Sequence, residues 1–144
     1  MENLSILSVV LGTLTPMIIG FLYYSKWLFG PAWMDSIGKT EEDLQGANMA
    51  VIMGLALVMS FLITFFFINF NNSPGQEGEF DTFGHGAFHG IVIFVVMAMP
   101  IMVTNSLFER KSAKNILINL GYWLVTFVIL GGLVDALNHW PNEA

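Results

Sequence analysis

Histidine and aspartate offer the most direct chemistry in this chain. His85 and His89 stand four residues apart in Phe83-Gly84-His85-Gly86-Ala87-Phe88-His89-Gly90. On a helix that spacing puts both imidazoles on one face, as helices present histidines to a metal. Asp135 and His139 repeat the spacing near the end of the chain, with Gly131 and Asn138 close by. If the two segments pack with these faces together, three imidazoles and a carboxylate converge. Such a set suits tetrahedral zinc or a proton relay. Gly86 stands where a zinc protease needs its catalytic glutamate, so that motif is absent. The competing reading is structural. Histidines at the edge of a membrane hydrogen-bond to loops, headgroups or water, and Gly86 with Gly90 forms a small-residue contact between helices.

A second polar set lies further along. Asn115, Asn119, Tyr122 and Thr126 follow one another at helical spacing and form one stripe, which Asn105 is placed to face. Amides and hydroxyls inside a membrane either line a pathway or hold helices together, at roughly 0.5–2 kcal/mol for each interhelical bond. Glue is the reading preferred here. Ser60 and Thr64 are four apart and can bond back to their own helix. Gly12, Pro16 and Gly20 make a small-residue stripe suited to close packing. Pro16 and Pro100 each remove a helical hydrogen bond and favour a kink.

Enzyme templates fit poorly. The chain has three histidines, too few for a di-iron histidine-box oxygenase, and no cysteine for a thiolate nucleophile or metal ligand. No paired carboxylates fall within an apolar segment, and no serine sits in a nucleophile elbow. An enzyme is therefore not the expected reading, and no cofactor is assigned.

The elements that must position these residues follow from composition. Hydrophobic residues make up 55% of the 144 residues and charged ones 11%. A soluble domain carries roughly 25% charged residues, so this chain cannot cover itself in water in the usual way. A net charge of -6 argues against a nucleic-acid partner. Four charge-free runs, over 3–25, 44–76, 82–108 and 115–134, are long enough for a helix to cross a bilayer core about 30 Å thick. Helices are expected at 4–25, 46–70, 84–107 and 116–138. The first run has no cation before it and is interrupted by Pro16, so it reads as a retained helix rather than a cleaved signal.

Between the first two spans, Gly30-Pro31 can open a short helix over 31–37 and Gly38 can close it. Trp27, Phe29, Trp33 and Met34 would lay it at headgroup depth. Thr40-Glu41-Glu42-Asp43 resembles a capping box, from which the second helix could start near residue 41. Lys26, Lys39, Arg110, Lys111 and Lys114 all fall in the two connections on one side, predicted cytoplasmic, which puts both termini on the outer, periplasmic side. On the cationic side the charges balance. Glu2, Glu77, Glu79, Asp81, Asp135 and Glu143 gather on the other side, around the histidines.

Several stretches together resemble a bacterial membrane-protein family catalogued as domain of unknown function 1761. They are Gly20-Phe21-Leu22-Tyr23-Tyr24-Ser25 with Leu28-Phe29-Gly30 and Trp33-Met34, then Thr40-Glu41-Glu42-Asp43-Leu44 with Asn48-Met49-Ala50. His85-Gly86-Ala87-Phe88-His89-Gly90 follows, then Leu107-Phe108-Glu109-Arg110-Lys111-Ser112 and Ile118-Asn119-Leu120-Gly121-Tyr122-Trp123. The resemblance covers nearly the whole chain. It implies a small polytopic membrane protein and carries no activity or functional residues with it.

The expected architecture is all-α: one membrane domain over 1–144, a four-helix transmembrane bundle with an interfacial helix between the first two spans. The expected setting is the bacterial inner membrane. The expected role is a non-enzymatic structural or accessory subunit, in a homo-oligomer or larger membrane complex. The alternatives are a small-solute or ion transporter or channel component, and a metal-binding protein using His85, His89, Asp135 and His139.

Overall fold

The computed structural model describes residues 5–46, 48–71 and 81–137. Every regular element among them is helical. Four stretches are long and apolar enough to cross a membrane: Ile6–Tyr23, Met49–Phe70, Phe83–Phe108 and Ala113–Leu137. The protein is a multi-pass membrane protein built on these four helices.

The first span is α1, Ile6–Tyr23, whose N-cap Ser5 accepts from the Ser8 amide. It continues as α-helix through Pro16. The interfacial helix α2, Gly30–Ile37, opens with Pro31 and ends at Gly38, which adopts the left-handed conformation at φ 64°. Gly38 N donates to the Asp35 carbonyl and Lys39 N to that of Met34, which closes the last turn in a Schellman motif.

Thr40 and Asp43 form the expected capping box, but the helix it starts is only the short α3, Glu41–Leu44. The chain turns at Gln45-Gly46, and the second span, α4, starts afresh at Met49 and runs to Phe70. Asn48 caps it by accepting from Val51 N. Glycine destabilises a helix interior by about 1 kcal/mol, and an asparagine cap two residues later offers the backbone a better start. The expectation of one helix from residue 41 is corrected accordingly.

The third span is composite. It comprises α5 (Phe83–Ile93), a π-helical turn (Phe94–Ala98) and α6 (Met99–Phe108). Met99 N donates to the Phe94 carbonyl, one residue further back than in an α-helix. Pro100 has no N–H and its ring would press on the carbonyl four residues earlier, and widening the preceding turn relieves that clash. The fourth span is α7, Ala113–Leu137.

α7 is the hub. α5 lies along it most extensively, α1 packs against both α7 and α4, and α4 touches α7 more lightly. Lipid removes the hydrophobic drive between helices, so close packing must hold the bundle. Glycine provides it. A Cβ at Gly86 would fall on the Gly131 carbonyl oxygen, and one at Gly90 on the Phe127 carbonyl oxygen. Gly12 admits Thr64 of α4 to the first span, and Gly20 faces the Tyr122 ring. Phe67, Ile68, Ile93, Phe94, Phe127, Leu130 and Val134 fill the centre.

Candidate functional site

The histidine end is assembled by backbone approach. Thr82 accepts from His85 N at 3.2 Å and starts α5 just before the two histidines. The Gly86–Gly131 contact then presses this turn onto α7 and sets His85 against Asp135. His85 Nδ1 lies 2.8 Å from Asp135 Oδ2. The carboxylate is 2% exposed and the imidazole 27%. An ionised carboxylate buried this deeply needs such a partner, since an unpaired one is costly in a low-dielectric surrounding. His85 and His89 follow one another on the same face, their ring centroids 4.2 Å apart.

His89 turns toward α4. Its Nδ1 donates to Asn71 Oδ1 at 2.9 Å, and the Phe70 ring meets it edge-on at 5.3 Å. A line of Asp135, His85, His89 and Asn71 thus joins α7, α5 and the end of α4. In each histidine one ring nitrogen is held by an oxygen acceptor, which fixes the orientation of both rings. The arrangement can store a proton on an imidazole beside a carboxylate, and it fastens three helices at one membrane boundary.

The structure therefore brings His85, His89 and Asp135 together. His139 lies outside the described residues, as do Asn138, Glu77 and Glu79. Among the described residues no group of three or more His, Cys, Asp or Glu is placed to hold a metal ion. Sequence reading missed Asn71. Nothing local to Asn69-Phe70-Asn71 shows that the Asn71 amide faces an imidazole 18 residues away.

The opposite end carries the second polar set. Tyr24 Oη donates to Asn119 Oδ1 at 2.8 Å, Asn119 Nδ2 to Asn115 Oδ1 at 3.1 Å, and Asn115 Nδ2 to Ser36 Oγ at 2.9 Å. Ser36 Oγ then donates to the Trp33 carbonyl at 2.6 Å. Tyr122 Oη reaches the Pro16 carbonyl at 2.7 Å. Lys114 and Asp35 form an ion pair at 2.7 Å just outside. That hydrogen bond and the ammonium charge hold the Asp35 carboxyl below the usual carboxylate range.

The stripe on α7 thus spends its amides on α1 and α2. Tyr24 also packs its ring on Trp33 and Tyr122, and Tyr23 on Phe29, so these two tyrosines turn inward. Asn105, expected to face this stripe, is exposed instead. The π-turn inserts one residue ahead of it, and one residue rotates a helix face by about 100°. Thr64 donates to the Ser60 carbonyl at 2.8 Å, as their spacing indicated.

No curated protein and no solved structure shows significant similarity to the chain. Residues 7–134 match the family described as "Protein of unknown function (DUF1761)". That match takes in the interfacial helix, His85, His89 and nearly all of the four membrane helices, and stops one residue short of Asp135. The chain belongs to this family.

Proposed function

We propose that this protein is a non-enzymatic structural or accessory subunit of the inner membrane that associates with further copies of itself. One observation carries the reading. Deep in the other spans, Gly12, Gly20, Gly86, Gly90 and Gly131 each meet a neighbouring helix, whereas Gly54 of α4 has nothing within 4 Å. Ala50, one turn earlier, is exposed as well, as are most side chains of that half of the helix. A small-xxx-small pair that no helix of its own chain covers is a surface on which a second helix can dock closely. The engagement of the polar stripe in bonds between α1, α2 and α7 supports glue over a transport pathway. The segregation of Lys and Arg supports an orientation with α2 on the cytoplasmic side and both termini outside.

The chain has no native cysteine, so one introduced thiol reports without background. Gly54→Cys is expected to form a disulfide-linked dimer when oxidised in intact membranes. Val96→Cys, which faces lipid on the third span at 67% exposure, is expected to remain monomeric. Equal cross-linking of the two, or none at Gly54→Cys, would remove the α4 interface.

A further inference from the structure

We draw no further inference here: the strongest candidate, the exposed face of α6 around Asn105 in the third span, carries none, because nothing in the structure shows what covers it.

Discussion

Gly86 and Gly84 differ by two positions and by everything that surrounds them. At Gly86 an added methyl meets the α7 backbone, while at Gly84 it meets nothing within 4 Å. Gly86→Ala should therefore destabilise the bundle by about 2 kcal/mol or more, in the range of overpacked cores. Gly84→Ala should be neutral or stabilising by up to about 1 kcal/mol through helix propensity. Unfolding in mixed micelles, followed by circular dichroism, compares the pair, and equal effects would contradict the close approach of α5 to α7. Arg110 gives the opposite opportunity. It ends α6 at φ 55°, with its own N–H donating to the Leu107 carbonyl and Lys111 N to that of Ser106. This is the same Schellman closure that Gly38 makes on α2, but on a residue with a Cβ. Left-handed backbone costs a non-glycine residue roughly 1–2 kcal/mol. Arg110→Gly is expected to gain about 1 kcal/mol in the same assay, and a loss of stability would mean that the arginine side chain holds the turn.

At the scale of elements, Asp35 and Lys114 tie α2 to the start of α7, and the tie depends on pH. The folded-state pKa of Asp35 lies below its ordinary value, so its contribution is complete above the unfolded pKa of about 3.9. It is lost as pH falls through the lower, folded value. Asp35→Asn should lower the thermal midpoint slightly at pH 7 and at low salt, and the gap to wild type should close as pH falls from about 3.9 through the lower, folded pKa. A gap that persists there would mean packing, not charge, carries the effect. The helices themselves were legible because apolar length and capping residues are local properties. Gly30-Pro31, Gly38 and Thr40–Asp43 each act within one turn, and each does in the structure what its residue types imply. Pro100 was legible as a disturbance but not as a π-turn, because the choice between bending and widening depends on how α5 already lies on α7. That one inserted residue turned Asn105 away from the stripe it was expected to face. The partnership of Asn71 with His89 was hidden for the same reason: it exists only once α4 and α5 share a boundary.

Among the described residues the polar bonds that join one helix to another gather toward two ends, with Ser60, Thr64 and Thr126 buried between them. At one end hydroxyls and amides fasten α1 and α2 to α7; at the other a carboxylate, two imidazoles and an amide fasten α5 and α4. Gly86 and Gly90 of α5 and Gly131 of α7 meet each other's helices, and Gly54 of α4 meets none. Self-association through the Gly54 surface of α4 is the central functional claim, and the mass of the assembly tests it most directly. Extracted from its native membrane in mild detergent and weighed intact, the protein is predicted to run as a dimer or larger multiple of the 16.0 kDa chain. Gly54→Leu is predicted to shift it toward monomer without loss of helicity. A wild-type protein that is strictly monomeric and free of partners under those conditions would contradict the account.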